Sequence, residues 1–330
     1  MSVRSAEERA FPALEMSPLI RLALLLAGAI GVVLIFMTIQ ANGNWDFILP
    51  FRGRKVLAMV IVGFAIAAST VMFQTITNNH ILTPSIMGFD SLYMLIQTIA
   101  VFALGSTQLV QVDNRVRFLV EIIVMSVFSG LLYWWLFIQA DRGLHLLVLV
   151  GIIFGVLFRS FTNLLQRMID PTEFAVLQDA GFASFNSVDP SLLGLSTGVI
   201  VAVALVIVRK NRVLDALALG RETAINIGVD YRREVMTVLT MVTILIAVST
   251  ALVGPITFFG LLVAHLGYQV ISSSRHRFTI PAAALFSVIF LVAGQLVLER
   301  VFSFNSSLSI MIEFLGGLLF IILLLRGGRK

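Results

Sequence analysis

Apolar stretches of about bilayer length follow one another along this 330-residue chain. Each is near the roughly 20 residues that a membrane-crossing helix needs. The spacing predicts ten such helices, over Leu19–Gln40, Val56–Thr75, Met87–Leu104, Phe118–Ile138, Leu144–Leu165, Leu192–Val208, Val235–Val253, Ile256–Ile271, Thr279–Leu298 and Leu308–Leu325. Apolar residues make up 58% of the chain and charged residues only 12%. A soluble domain carries about 25% charge, so a soluble single-core fold is excluded. The fold class is all-α: one polytopic membrane domain over residues 1–330. The first run lacks a small-residue cleavage site and reads as a retained helix rather than a signal peptide.

The net charge of +5 reads as a topology signal and not as a nucleic-acid surface. Cations concentrate in the tail and in alternate connections, at Arg4, Arg9, Arg209, Lys210, Arg212, Arg221, Arg232, Arg233, Arg275 and Arg277. Under the positive-inside rule, both termini are cytoplasmic, and residues 1–18 form a cytoplasmic tail. Arg52, Arg54 and Lys55 break that rule, as a basic cluster on the outer side.

Two connections are long. Arg209–Glu234 is cytoplasmic and basic, with a short helix expected around Leu219–Val229 that ends at Gly228. Arg167–Ser191 is external and acidic, with a short helix expected from Pro171. Ile66-Ala67-Ala68-Ser69-Thr70 recurs 180 residues on as Ile246-Ala247-Val248-Ser249-Thr250, and Ile76-Thr77 as Ile256-Thr257. The two copies lie an odd number of spans apart, which implies an inverted internal repeat of the kind found in transporters.

Enzyme motifs are missing. The chain has no cysteine, which removes disulfides, thiolate metal sites and cysteine nucleophiles. His80, His145, His265 and His276 form no HxxxH or HExxH pair. There is no GxxxxGK[ST] phosphate loop, no Ser/His/Asp set and no catalytic carboxylate pair. The chain itself is read as catalytically inert, with no metal site and no cofactor of its own.

Four segments resemble the FecCD-type permeases, the transmembrane subunits of ABC importers for iron-siderophores and cobalamin. Arg52 and Arg54 match that family's basic pair before the second helix. Asn79–Gly88 resembles its Asn-Pro-Leu-Ala-x-Pro-x-x-Leu-Gly stretch. Leu219-Gly220, Ala224 and Ile227-Gly228-Val229 resemble its cytoplasmic Leu-Gly…Ala…Leu-Gly-Val segment. Gly254–His265 resembles its Gly-x-Ile-x-Phe-x-Gly-Leu-x-x-Pro-His stretch, with Ala264 where proline is usual. His80 likewise replaces a proline, and Tyr268 stands near a usual arginine.

The resemblance implies a type II ABC importer permease in the inner membrane, carrying a ferric siderophore of catecholate type. It implies a second permease subunit, a dimer of ABC ATPases that binds the ATP and Mg, and a periplasmic or lipoprotein siderophore-binding protein. Leu219, Gly220, Arg221, Glu222, Ala224, Gly228 and Val229 would form the ATPase coupling segment. Arg52, Arg54, Lys55 and Arg300 would receive the binding protein. Asn79 and Pro84 would belong to the path or gate, together with Asp141, Arg142 and Gly143, placed there by position. Asp90, Glu121, Arg159 and Glu313 lie inside spans, where lone charges are costly; structural pairing is the reading placed ahead of cargo contact. Cobalamin or haem import stays open, as does an ion-coupled secondary transporter.

Overall fold

The computed structural model describes residues 17–40, 43, 45–109, 111–135, 144–186, 188–271, 273–302 and 307–327. The expected gate residues Asp141, Arg142 and Gly143 lie outside the described residues, as does the tail up to Met16. The rest is helical: α1 (Pro18–Thr38), α2 (Trp45–Thr77), α3 (Phe89–Leu109), α4 (Asn114–Tyr133), α5 (Leu144–Gln166), α6 (Pro171–Ala180), α7 (Pro190–Leu217), α8 (Arg221–Asn226), α9 (Tyr231–Val253), α10 (Phe259–Val270), α11 (His276–Arg300) and α12 (Leu308–Gly327). A 3₁₀ turn, Pro84–Met87, precedes α3. The starts follow ordinary capping chemistry. Ser17, Asp113, Asp189 and Asp230 each accept a backbone N–H of their helix's first turn, and proline occupies the first turn of α1 and α7. Hydrogen bonds from Ser191 hold the Asp189 carboxyl below the usual carboxylate range.

Eight of these helices are long and apolar enough to cross a bilayer: α1, α2, α3, α4, α5, α7, α9 and α11. One of the expected spans differs. α10 has 12 residues, about 18 Å at 1.5 Å per residue, because Gly254–Thr257 is not helical and Phe258 is left-handed at φ 58°. α12, Leu308–Gly327, covers the expected span Leu308–Leu325. α2 and α7 are longer than their spans. α2 runs 33 residues, so Arg52, Arg54 and Lys55 sit on the helix and not in a loop. α7 carries Arg209, Lys210 and Arg212 as helix.

α2 and α11 form an antiparallel pair. Lys55 meets Glu299, Gly63 faces Ser287, and Thr75 meets His276. The fit is close: a Cβ on Gly63 would stand 2.6 Å from Ser287 Oγ, and such small-residue seams let membrane helices approach. α1 lies parallel to α11. Arg21 donates to the Val270 carbonyl at the end of α10, Gly28 faces Ile289 of α11, and Arg300 at the end of α11 reaches the chain just past the end of α1.

α2 and α9 are the most buried spans, and they carry the repeated sequence. Ser69 Oγ donates to Ile66 O and Ser249 Oγ to Ile246 O, both at 3.0 Å. Asn78 and Phe258, again 180 apart, are both left-handed, at φ 49° and 58°. α2 ends beside the segment where α9 begins, so the two copies run in opposite senses.

The chain returns from α2 into the helix layer through the 3₁₀ turn. There a Cβ on Gly88 (φ 88°) would stand 2.6 Å from Gly155 Cα of α5, and one on Gly155 2.9 Å from Gly88 Cα. Backbone touches backbone, and no side chain fits between. Gly155→Val is therefore expected to destabilise the detergent-solubilised protein by about 1–3 kcal/mol, the usual cost of overpacking, read as a lower apparent Tm. Gly194→Val, at an open position of α7 with nothing within 4 Å, should leave it unchanged.

Candidate functional site

α8 is a six-residue helix slung between the end of α7 and the start of α9. Gly220 (φ 91°) admits the chain, and Gly228 (φ 89°) lets it out. Val229 N–H donates to Ala224 O and Gly228 N–H to Ile225 O, both at 3.0 Å. That is the double hydrogen bond of a Schellman cap, which calls for a residue tolerating positive φ. Ala224 is the only fully buried residue of α8. Leu219, Ile225 and Ile227 stand exposed at 62%, 49% and 57%, and Arg221 and Glu222 are exposed beside them. The segment thus shows a small anchor to its own chain and an apolar, charge-flanked ridge outward.

Its supports are rigid. Lys210 on α7 bonds both carboxylate oxygens of Glu234 on α9, at 2.6 and 2.7 Å. Arg221 lies over the Tyr231 ring. Two turns back from α8, Asp215 on α7 accepts from His276 N and from Nδ1 at 2.8 and 2.7 Å, while His276 Nε2 meets Thr75 Oγ1 at 2.7 Å. This chain joins α7, α11 and α2. Residues 61 and 201 positions apart make it, so no local spacing could have signalled it. It borders a cavity of about 510 Å³ that also takes in Gln74, Asn78, His80, His265 and Tyr268. Of the expected path residues, Asn79 caps the turn after α2 by accepting from Ile81 N, and Pro84 is buried at the start of the 3₁₀ turn.

The basic cluster at the opposite end divides. Arg52 Nη1 bonds the carbonyls of Phe36, Met37 and Ile39 at 2.8, 3.1 and 2.8 Å, so it caps the C-terminal, electronegative end of α1. Arg300 bonds Gln40 and the Ile39 carbonyl at the same end. Arg54 projects outward, and its Nε donates to the Pro50 carbonyl. Lys55, expected among the outward cations, turns inward instead. One residue on from Arg54, the helix turns about 100°, enough to carry Lys55 off the outer face to where it is 5% exposed and pairs with Glu299 at 2.8 Å. Glu299 also accepts from Gln295, which reaches Asn186 of the α6–α7 connection.

Two of the interior ionisable residues have polar partners. Glu121 accepts from Gln97 at 2.7 Å. Asp90 accepts from Thr257 at 3.4 Å. Among the described residues, no ion pair joins Asp90, Arg159 or Glu313, although all three line one cavity. No group of three or more His, Asp or Glu among the described residues is placed to hold a metal.

A bundle of apolar helices with an inverted repeat, an exposed short helix at one end and arginines at the other is the build of a multi-pass membrane permease. The family model of the FecCD transport family matches residues 18–326. The petrobactin import system permease protein YclO of Bacillus subtilis (strain 168) is 46% identical over 310 residues, 94% of this chain and 98% of its own length. The petrobactin import system permease protein FatC of Bacillus anthracis is 38% identical over 281 residues, 84% and 79%. A chain described as an inward-facing metal-chelate type ABC transporter shares the fold, with a TM-score of 0.82 at 21% identity, over 93% of this chain and 99% of that one. The chain belongs to the FecCD transport family.

Removing one partner of a buried ion pair costs about 3–5 kcal/mol, because the other charge is stranded. Lys55→Met should therefore destabilise the protein strongly, whereas the double variant Lys55→Met/Glu299→Leu recovers most of the loss. A thermal-unfolding double-mutant cycle measures this coupling.

Proposed function

We propose that the chain is the transmembrane permease subunit of a binding-protein-dependent ABC importer that carries a ferric siderophore across the inner membrane. What carries the reading is the exposed α8 ridge in a chain of the FecCD family. Such a ridge fits a groove on a soluble partner, and its rigid supports suit it to transmit motion. Two ATPase subunits close on ATP and push α8. The push passes through the Lys210–Glu234 brace and the Asp215–His276–Thr75 chain into α7, α9, α11 and α2. Helices that shift as packed units reorient the path between a pair of permeases. Cargo binding alone shifts populations only by differential affinity, so directionality comes from the ATPases.

On this reading α8 and both termini lie in the cytoplasm, and the binding protein docks at the opposite face. Arg54 supplies the free guanidinium there, Arg300 and the spare edge of Arg52 contribute, and Lys55 serves packing. Guanidinium matches carboxylate in bidentate fashion, and exposed charge speeds encounter. The cargo assignment leans on the two relatives above, both named as petrobactin import permeases, so ferric petrobactin is the first chelate to test.

Gly228→Trp, which cannot adopt the φ of the α8 cap, should cut ATPase co-purification at least tenfold with the permease still in the membrane. Iron uptake that persists without any ATPase but collapses with the proton gradient would overturn the ABC reading. Arg54→Glu with Arg300→Glu should weaken binding-protein association several-fold, more at 50 mM than at 500 mM salt, as exposed charges are screened. An unchanged affinity removes the docking claim.

A further inference from the structure

One face of α5 changes character partway along. At Gly151 and Gly155 it is bare and receives Met87 and Gly88. One turn further on it becomes polar, at Arg159, Thr162, Asn163 and Gln166, spaced as one helical stripe. The stripe begins about 10 Å before the end of α5, at 1.5 Å per residue, in the half of the bundle away from α8. It lines a cavity of about 280 Å³ closed by Asp90 at the start of α3, Thr257, and Glu313 of α12.

Three observations say that this cavity is built for something absent from the chain itself. Arg159, Asn163 and Glu313 are exposed inside membrane helices, and a guanidinium held in hydrocarbon is costly unless it faces water or a partner. Arg159 forms no ion pair among the described residues. Thr162 is only 5% exposed, yet its hydroxyl has no hydrogen-bond partner among them, and buried polar groups normally have one.

The donors define the ligand class. One guanidinium, two carboxamides and a hydroxyl line the cavity from α5; Asp90 is already held by Thr257, and the Gln166 amide donates once to Thr98 at 3.5 Å, which leaves it one N–H to offer. We propose that this stripe is a transit contact for the cargo, in which Arg159, with the Asn163 and Gln166 amides, receives an anionic, oxygen-rich edge of the ferric chelate. The inference rests on the importer reading above and names the residues that touch the cargo inside this chain. The cavity is smaller than the roughly 300–1,000 Å³ of sites that engulf a drug-sized ligand, so it takes one edge of a chelate and not the whole. Glu313 across the cavity offsets part of the attraction. A conduction site must hold its cargo weakly enough to release it.

The test uses the complete importer in proteoliposomes, with ferric petrobactin as the probe. Because the chain has no cysteine, Asn163→Cys gives it a single thiol. That thiol should react with a membrane-impermeant methanethiosulfonate, and chelate delivered by the binding protein should slow the reaction at least fivefold. Leu157→Cys, on the apolar side of α5, should show no such protection. Arg159→Gln should lower maximal uptake about tenfold, equivalent to about 1.4 kcal/mol. Arg159→Lys, which keeps the charge, should stay within about threefold of the parent, and Glu313→Gln should slow cargo release from the protected state. An unreactive thiol, reaction without protection by chelate, or equal loss in Arg159→Gln and Arg159→Lys overturns the contact. If the unaltered importer shows no ATP-dependent uptake of ferric petrobactin, the cargo reading has failed instead, whatever the thiol does.

Discussion

The α2–α11 seam organises the bundle. Between helices in lipid there is little hydrophobic drive, so association depends on close packing and on polar ties. This seam has both: Gly63 lets the backbones approach, and a buried polar contact locks each end, Lys55–Glu299 at one and Thr75–His276 at the other. Two ties so far apart leave no freedom to slide by a turn. Other elements take their place from the pair. α1 is strapped to the end of α10 by Arg21 and to α2 by Arg52. α7 is held through Asp215, and the α6–α7 connection through Gln295 and Asn186.

Features written in local chemistry could be read without coordinates. The apolar runs located every membrane helix, because hydrocarbon requires backbone groups to be satisfied within the segment. Gly220 and Gly228 bracketed α8, because positive φ has few alternatives to glycine. The repeat was visible in one pentapeptide on α2 and α9, and the two serines of that pentapeptide make the same bond in each copy. Helix ends were read less well. α2 starts well before Val56, with Pro50 as its sixth residue, inside the helix, where proline ordinarily argues against helix.

Long-range partners were hidden. Arg52, Arg54 and Lys55 look alike in sequence but have three fates: a cap for α1, an outward cation and a buried ion pair. Only the helical phase and the position of Glu299 separate them. The Asp215–His276–Thr75 chain joins three helices that are distant in sequence. By contrast, the polar stripe at Arg159, Thr162, Asn163 and Gln166 was readable from its spacing of three and four residues. Taking Arg159 as one member of an ion pair concealed the pattern.

The face of α5 thus has two halves governed by different rules. Around Gly155, geometry leaves no room for a β-carbon, so almost any substitution costs stability before it affects transport. Further along, Arg159 and Asn163 stand exposed at a cavity, and on the proposed reading their identity is limited by what that cavity receives. Mutational tolerance along one helix should therefore switch within a single turn. A lineage exchanging one chelate for another could rewrite the upper half of that face while its lower half kept the architecture unchanged.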